Sequence, residues 1–364
     1  MLGKAEQSAG GIAHDHVSVG VVANFGRTKL SGPALSHHLF TGLQRRRLNS
    51  LITELAEAWM PAEEGRLHER RGRSRLRAAG AGPNHQLVFT DRVIATLVVL
   101  RFQLPHGALA LLYGVDRSTI TRAVHEVRPL LAARGFAVPG QGDLRLRALA
   151  DVFAYEAAED VELRLDGTEV RVRRPWANKP GRRAFVSGKM RQNTKKATVV
   201  TDGQGRTLWG GAFRPGRMHD QTAVKTEGIW DLFEQYPQVR ERSTRATGDL
   251  PSSSSTRYKH AAQTEEGRPA RRHRRLGRGA RHQQSSGRIC VEHANAEHKQ
   301  WRTLQCYLGR REYFDETYAA VATLAPTAPP RDEHQADNPP GQHAPTSFVH
   351  RAVRQARGCS SRRR

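Results

Sequence analysis

The amino-acid sequence predicts an α/β protein in which an all-α N-terminal domain precedes a domain built on a mixed β-sheet. Three patterns lead to this prediction. Apolar residues recur every three to five positions between residues 35 and 131, apolar and polar residues alternate from residue 161 to residue 213, and helical spacing returns after residue 220. We therefore expect a helical domain over residues 35–139 and an α/β domain over residues 140–325. A disordered leader (residues 1–34) and a disordered tail (residues 326–364) should flank them.

The composition points to a polyanionic partner. The chain has 364 residues, a net charge of +24 and a pI near 11.1, so we expect nucleic acid rather than a membrane or a small-molecule substrate. A solvated basic surface or basic tails would give the same total charge. Three scattered cysteines form neither a disulfide framework nor a zinc motif, and no apolar run approaches the ~18 residues of a membrane span. A cytoplasmic location is the expectation.

The helical domain is expected to open with an apolar helix over Leu35–Trp59. The run Arg66–Arg77, RLHERRGRSRLR, has the composition of a segment that tracks phosphates, and equally that of a solvated linker. Thr90 is predicted to cap a helix that ends near Gln103. The buried face of that helix should contain Val93, Leu97 and Leu100.

Residues 106–131 predict a helix-turn-helix. Ala110 permits close helix packing, Gly114 suits the turn, and Asp116 can cap a second helix whose buried stripe is Ile120, Val124 and Val127. The start of that helix is where a recognition helix meets the major groove of DNA, and it carries Arg117, Ser118, Thr119 and Arg122. The spacing alone also allows a short helical hairpin without a DNA function.

The α/β domain is expected to begin with a bridging helix over residues 140–160. Four segments then alternate as strands do, with a hairpin turn at Asp202-Gly203: VELRLDGTEVRVRR (161–174), AFVSGKM (184–190), KATVVTD (196–202) and RTLWGGAF (206–213). Asp220 is predicted to cap a helix that runs to about Tyr236. The first strand carries Asp166, which an ordinary turn at Gly167 would also explain.

Arg288, Glu292 and Lys299 have the spacing R-x3-E-x6-K within SSGRICVEHANAEHKQW. On a helix with ~100° per residue, Glu292 lies ~40° and Lys299 ~20° around from Arg288, so the three share one face. A carboxylate between two cations suits a site that holds a metal ion beside phosphates. An Arg–Glu pair on a solvated helix is the alternative interpretation.

This segment resembles the glutamate-bearing signature of bacterial insertion-sequence DDE transposases, although Ser285 stands where that family has a tyrosine. Three further segments are similar to the same family: LRLDGTEVRVRRPW, GRRAFVSGKMRQNTKKATVVTDGQGRTLWGG and RPGRMHDQTA. The resemblance runs from about Leu35 to Leu324 and implies an N-terminal helix-turn-helix followed by an RNase H-like catalytic domain. The predicted order of strands and helices fits that fold as well.

The resemblance implies a site for cutting and rejoining DNA. Three carboxylates would hold two Mg²⁺ or Mn²⁺ ions, which neutralise charge on the attacking and leaving oxygens of a phosphodiester. Asp166 would be the first acid and Glu292 the third, while Arg288 and Lys299 would contact the phosphates of the transposon end.

Other residues in family-like segments are candidates for supporting roles. His219 and Asp220 would shape the site, although a helix cap explains Asp220 equally well. Candidate DNA contacts are Lys189, Arg191 and Lys195, for which a solvated basic strand edge is the alternative.

The second acid is missing from its expected place. The family has an acidic strand end reading approximately D-A-G-Y-R-G-L-A shortly after Pro237, whereas residues 243–284 form an aberrant stretch that we expect to be disordered. Between residues 251 and 284 the only large apolar side chains are Tyr258 and Leu276, too few to bury a strand. Asp249 is the candidate substitute acid.

A frameshift would explain the aberrant stretch. If residues 243–251 are encoded TCG ACG CGG GCT ACC GGG GAC TTG CCN, reading from the last base of the Ser243 codon gives D-A-G-Y-R-G-L-A. The family-like sequence resumes at HQQSSGRICVEH, so the frame would be restored near Ala280, and a second slip near Ala325 would explain the tail.

The predicted function is therefore that of an insertion-sequence transposase that binds terminal inverted repeats as an oligomer and cuts and rejoins DNA with Mg²⁺, this copy being inactive if the second acid is lost. Two alternatives stay open. One is a DNA-binding remnant without catalysis, and the other is a metal-dependent nuclease that cuts DNA without rejoining it.

Overall fold

A computed structural model describes residues 32–76, 86–138, 141–174, 182–239, 241–243, 292 and 294–324. The predicted leader lies outside these residues apart from residues 32–34, and so do the tail and the stretch after Ser243. The described part combines a helical N-terminal region with a mixed β-sheet, as the sequence predicts. None of its helices is both long and apolar enough to cross a lipid bilayer.

The helical region begins with three helices where the sequence predicts one. They are α1 (Gly32–Leu35), α2 (His38–Thr41) and α3 (Arg45–Arg71). The break follows α2, where Gly42 adopts a left-handed conformation with φ 74°. Leu48, Leu51 and Leu55 are buried as predicted, whereas Leu39 is exposed.

Part of the basic run belongs to the last turns of α3. Arg66 pairs with Glu63 at 2.6 Å and Arg71 with Glu64 at 2.7 Å, and Arg75 also contacts Glu64. The helix continues into this segment because the acidic side chains one or two turns earlier face the arginines. The linker interpretation is therefore wrong for residues 66–71.

Three helices complete the region: α4 (Phe89–Phe102), α5 (His106–Tyr113) and α6 (Arg117–Ala133). Val93, Leu97 and Leu100 of α4 are at most 2% exposed, which confirms the predicted buried face. The predicted cap is wrong, because Val88 occupies the N-cap position and Thr90 lies in the first turn with its hydroxyl buried and unpaired.

The predicted bridging helix forms over its C-terminal part, and a β-hairpin precedes it. Strands β1 (Phe136–Val138) and β2 (Gln141–Leu146) pair antiparallel, with Phe136 opposite Leu146, and α7 follows over Leu149–Glu159. The Asp151 carboxylate accepts hydrogen bonds from the backbone N–H groups of Arg147 and Ala148, at 2.8 and 3.0 Å. This arrangement starts α7 only after the hairpin.

The main sheet is organised around one central strand, β3 (Leu163–Val172). It pairs antiparallel with β4 and parallel with two short strands, β7 and β8, while β5 and β6 pair antiparallel with β4. The other strands are β4 (Thr194–Thr201), β5 (Thr207–Gly210), β6 (Arg214–Pro215), β7 (Glu241–Ser243) and β8 (Cys306–Tyr307). The sheet is therefore mixed, as expected.

Two predicted elements differ from the structure. Residues 184–190 do not form a strand: Arg182–Phe185 is a 3-10 helix and Val186 makes only an isolated bridge to Asn193. The helix predicted from Asp220 to Tyr236 is divided into α8 (Asp220–Thr226) and α9 (Ile229–Gln235) by Gly228, whose φ is 69°.

The C-terminal helices close the sheet and join it to the helical region. Residues 294–299 form α10, α11 is Arg302–Gln305, a 3-10 turn is Arg311–Tyr313, and α12 is Phe314–Ala322. One apolar core contains Leu51 and Val127 of the helical region together with Leu165, Val199 and Phe314. Both regions therefore share buried contacts.

Glu227 is a carboxyl group enclosed at the end of α8. Both of its oxygens are buried without a hydrogen-bond partner of normal geometry, and the group packs against the backbone at Gly211. Burial raises the pKa of Glu227 to about 7, and the nearby Thr198 hydroxyl and Arg214 guanidinium oppose this effect only in part.

Substituting Glu227→Gln is expected to stabilise the folded chain above pH 7 by about 1–3 kcal/mol. The folded pKa of about 7 exceeds the ordinary value of 4.5, so the contribution of Glu227 to stability falls as the pH rises between these values. Urea unfolding is best followed in a His298→Gln background, because the buried His298 has a folded pKa of about 4 and its contribution changes in the opposite sense over nearly the same range. The fall should appear in that background and after the control substitution Glu57→Gln, whose side chain is exposed, but not after Glu227→Gln. An unchanged pH profile in Glu227→Gln would contradict the assignment.

Candidate DNA-binding and catalytic site

Asp166 lies in the middle of the central strand, opposite Val199 of β4, and is half-buried. Its Oδ2 atom accepts a hydrogen bond of 3.3 Å from Nδ2 of Asn295 in α10. Asn295 follows Glu292 by three residues, so it lies about one helical turn further along the chain. The structure thus brings Asp166 next to the segment that carries Glu292, although the two acids are 126 positions apart in sequence.

The helix that follows Glu292 is fixed by its buried face. His298 is 3% exposed and hydrogen-bonds Thr207 at 3.2 Å and Tyr318 at 3.4 Å, while Ala294 and Trp301 are also buried. Burial lowers the pKa of His298 to about 4, which keeps the imidazole neutral. Glu292 and Lys299 are exposed, on the side of the helix away from this core.

Asp220 is a carboxylate near Asp166 in sequence register but on the opposite face of β3, because successive side chains of a strand point to opposite faces. A Cβ atom at Gly167 would lie 3.6 Å from Cγ of Asp220, which places this carboxylate against the residue after Asp166. The Asp220 carboxylate accepts a hydrogen bond of 3.0 Å from Nζ of Lys196, and the N-cap position of α8 is occupied by His219. The predicted capping role of Asp220 is therefore wrong.

Sequence reasoning missed Asn295 and Lys196. Asn295 carried a signal, since a position three residues after Glu292 lies near the same helix face. Its Oδ1 atom is buried and has no hydrogen-bond partner, so the oxygen of this amide accepts no hydrogen bond. Lys196 lay within a strand, where nothing in the sequence links it to Asp220.

The described residues do not assemble a complete metal site. Among them, no group of three or more His, Cys, Asp and Glu side chains is arranged to hold a metal ion. Asp249 and Arg288 lie outside these residues. The short strand β7 pairs parallel with β3 and ends with Ser243 opposite Leu165, one position before Asp166. Of the three predicted carboxylates, the part of the chain that the structure describes therefore contains Asp166 and Glu292.

The helix-turn-helix has the predicted geometry. Gly114 turns the chain with φ 64° after α5, and the Asp116 carboxylate accepts a hydrogen bond of 2.7 Å from the backbone N–H of Ser118. Hydrogen bonding by the Ser118 side chain, followed by this backbone hydrogen bond, keeps the pKa of Asp116 below its ordinary value. The buried stripe consists of Ile120 (0%), Val124 (4%) and Val127 (0%).

The proposed recognition positions differ in their exposure. Arg117, Ser118 and Arg122 are exposed, whereas Thr119 is half-buried and its hydroxyl oxygen accepts a hydrogen bond of 3.3 Å from Arg122. The exposed set therefore lies at the start of α6, the end that a recognition helix presents to DNA.

The basic residues near β4 differ in their availability. Lys189 and Arg191 are exposed. Lys195 has a side chain only 11% exposed, pairs with Asp315 at 2.5 Å, and lies 5.5 Å from the centre of the Phe314 ring. Its ammonium group is thus engaged within the protein.

Comparisons with known proteins match both regions of the chain. The helix-turn-helix of DDE superfamily endonuclease matches residues 85–137, and the DDE superfamily endonuclease family matches residues 165–325. The chain belongs to the DDE superfamily of transposases. Among curated proteins it is similar to the probable transposase for insertion sequence element IS702 of Microchaete diplosiphon, with 25% identity over 149 residues.

These similarities are limited in extent. The match to the Microchaete diplosiphon protein covers 41% of this chain, and the chain spans about half (50%) of that relative's length. A pre-cleavage Mos1 transpososome gives 10% identity and a TM-score of 0.19, over 93% of this chain and 98% of that one. A Mos1 paired-end complex with the left transposon end gives 12% identity and a TM-score of 0.14, over 61% and 74%. Scores this low establish no common fold.

Proposed function

We propose that this chain is an insertion-sequence transposase whose DNA-binding region is complete and whose cleavage site lacks the second carboxylate. Residues 35–139 would bind the terminal inverted repeats through α6, and residues 140–325 would form an RNase H-like domain that, in the intact family member, cuts and rejoins DNA in the cytoplasm as an oligomer. The observation that carries this proposal is the hydrogen bond between Asp166 and Asn295. It supports a site shared by Asp166 and Glu292.

The register of β7 supports the position of the missing acid. Ser243 lies opposite Leu165 in a parallel pair, so an acid at the next position of a continuing strand would stand beside Asp166. If Ser243 and Thr244 are encoded TCG ACG, as the frameshift hypothesis assumes, one added base before them gives an NTC codon at position 243 and GAC at position 244. NTC encodes Phe, Leu, Ile or Val, which are residues that suit a buried strand. The restored reading therefore supplies an apolar strand end followed by aspartate.

The test compares two versions of the chain. One has the sequence as it stands, and the frame-restored chain has aspartate at position 244 and the alternative reading up to about Ala280. Each is incubated with Mg²⁺ and labelled DNA that flanks its coding sequence, since an insertion element carries its ends there. Both versions should bind this DNA, and only the frame-restored chain should cut it.

A third version tests whether cutting requires the aspartate at position 244 itself or only the restored fold around it. It is the frame-restored chain with asparagine at position 244, and it should bind the DNA without cutting it. Cutting by the sequence as it stands would refute the loss of the second acid, and failure of every version to bind flanking DNA would refute end-binding. Scoring strand transfer separately from cleavage distinguishes a transposase from a nuclease that does not rejoin DNA.

A further inference from the structure

The segment from Arg171 to Lys196 is strongly basic. It contains ten lysines and arginines and no aspartate or glutamate: Arg171, Arg173, Arg174, Lys179, Arg182, Arg183, Lys189, Arg191, Lys195 and Lys196. Like charges at this density repel each other unless carboxylates or a bound anion offset them. The contacts of those lysines and arginines that the structure describes indicate which side chains are available to bind an anion.

Several of these cations have partners within the protein. Lys195 pairs with Asp315 and Lys196 with Asp220, at 2.5 and 3.0 Å. Arg171 donates a hydrogen bond to Gln192 at 3.4 Å, and Arg173 donates one to the backbone oxygen of Leu308 at 3.3 Å. The two lysines are therefore neutralised by carboxylates, whereas the two arginines are held at the sheet by single neutral hydrogen bonds.

Four other arginines line one cavity of about 460 Å³. Its lining consists of Arg174, Arg182, Arg183 and Arg191, together with Val186 and Asn193. Within the part of the chain that the structure describes, none of the four guanidinium groups forms an ion pair with a carboxylate. A concave surface with four uncompensated guanidinium groups favours an anion with several oxygens.

The backbone around this cavity is held in place. Ser187 and Arg191 form a tight turn, in which the Arg191 N–H donates to the Ser187 oxygen at 2.9 Å and Arg191 has a φ of 51°. The Val172 N–H donates to the oxygen of Asn193 at 2.9 Å, which ties the cavity to the end of β3. The side chains therefore extend from a fixed frame.

Asn193 provides a neutral polar group at the cavity. Its Oδ1 atom is buried and has no hydrogen-bond partner. A side-chain amide can turn by 180° and present its N–H₂ group instead, which would donate to an anion. A bound phosphate would thus satisfy a polar group that the protein alone leaves unpaired.

We propose that this arginine pocket binds a phosphate of the DNA backbone at a distance from the cleavage position. The inference rests on the proposed function, and it replaces Lys195 with Arg174, Arg182 and Arg183 as DNA contacts. From Asp166 to Val172 the strand advances about 20 Å, at about 3.3 Å per residue, and Val172 is hydrogen-bonded to Asn193 of the pocket, so the bound phosphate is separate from the one that is cut.

The experiment uses the full chain as it stands and measures its binding to flanking DNA across a range of salt concentrations. The test variant replaces Arg174, Arg182 and Arg183 with glutamine. Its matched control replaces three exposed basic residues outside the helical region and the pocket, Lys225, Arg302 and Arg310, with glutamine. The slope of log affinity against log salt should fall by about 0.9 in the test variant, because the loss of one phosphate contact changes it by that amount.

A charge-preserving variant tests whether the pocket has a specific geometry. Replacing the same three arginines with lysine keeps the net charge but removes the planar fork that binds two phosphate oxygens, so affinity should still fall about tenfold. Interference by ethylated DNA phosphates should disappear at one phosphate position in the test variant, and that position should differ from the phosphate that is cut.

The possible outcomes separate the two proposals. A parent chain that does not bind flanking DNA refutes the proposed function and this inference together. If the parent binds DNA normally, two results would refute the pocket alone. One is that the test and control variants have equal effects, and the other is that the lysine variant keeps the full affinity for DNA. Pyrophosphate binding that is lost in the test variant while DNA binding persists identifies a site for small anions and likewise overturns the inference.

Discussion

Asp166→Asn in the frame-restored chain is expected to abolish metal-dependent cutting of the flanking DNA while leaving its affinity for that DNA unchanged. The loss should be about 10³-fold or more, because a bound metal ion stabilises the transition state by several kcal/mol and a neutral amide is a poor ligand for a divalent cation. The substitution preserves the local structure, since the new side chain can still accept the hydrogen bond from Asn295. Glu292→Gln should have the same effect for the same reason.

The measurement is single-turnover cleavage of end-labelled DNA together with a binding titration of the same variant. Asp231→Asn is the matched control, because Asp231 is an exposed acid on α9 away from Asp166. Cutting at the parental rate by Asp166→Asn or Glu292→Gln would show that the assigned carboxylates are wrong. Reduced DNA binding in parallel with reduced cutting would instead indicate damage to the fold.

The central part of the fold could be predicted because its sequence patterns are local. The alternation around Asp166 predicted β3 within two residues at each end, since one strand pairs on both sides along its length. Gly114 and Asp116 predicted the helix-turn-helix because a left-handed turn and an N-cap each depend on a few adjacent residues.

The errors arose where distant contacts override a local preference. Asp220 has the character of a helix cap, but Lys196 binds its carboxylate. The alternation in AFVSGKM does not yield a strand, because Val186 and Met190 are both exposed and no buried face rewards an extended chain. The hairpin of Phe136 and Leu146 was missed because its strands are short and its second strand lies in a segment predicted to begin the bridging helix.

The candidate site could be predicted only in part, for the same reason. Spacing within one helix related Arg288, Glu292 and Lys299, but the proximity of Asp166 to this helix depends on the fold of the intervening 120 or so residues. Family resemblance supplied that relation, and the hydrogen bond from Asn295 now supports it. The pocket of arginines had no sequence signature beyond a high density of positive charge.

The shared core fixes the recognition helix relative to the sheet. Arg128 of α6 contacts Glu316 of α12, and the Thr323 hydroxyl donates a hydrogen bond of 3.1 Å to the backbone oxygen of Leu131. Since α6 carries the proposed DNA-reading residues at its other end, DNA held there has a defined position relative to Asp166. A rigid connection of this kind sets a constant distance between the bound repeat and the cut.

His298 is expected to make the stability of the folded chain depend on pH in the acidic range. Its folded pKa of about 4 lies below the ordinary value of 6.5, so the unfolded chain gains a proton before the folded chain does. The contribution is fully present above pH 6.5 and is lost as the pH falls towards 4, by up to about 3 kcal/mol. This sign is opposite to that of Glu227, whose contribution falls as pH rises.

His298→Gln should remove this acid-dependent loss, because glutamine does not titrate but can still hydrogen-bond Thr207 or Tyr318. At pH 7 the variant should be less stable than the parent by about 1–3 kcal/mol, since its shape fits the buried site less well. The pH dependence and the stability at pH 7 are best measured by urea unfolding in a Glu227→Gln background. The control is His68→Gln, since His68 is exposed. The decisive comparison is the loss of stability between pH 6.5 and pH 4 in the Glu227→Gln background with and without His298→Gln. If both chains lose the same amount, the neutral buried imidazole does not fix the helix that follows Glu292. The control variant should reproduce the pH profile of the background, because the His68 side chain is exposed and packs against no buried part of the fold that the structure describes.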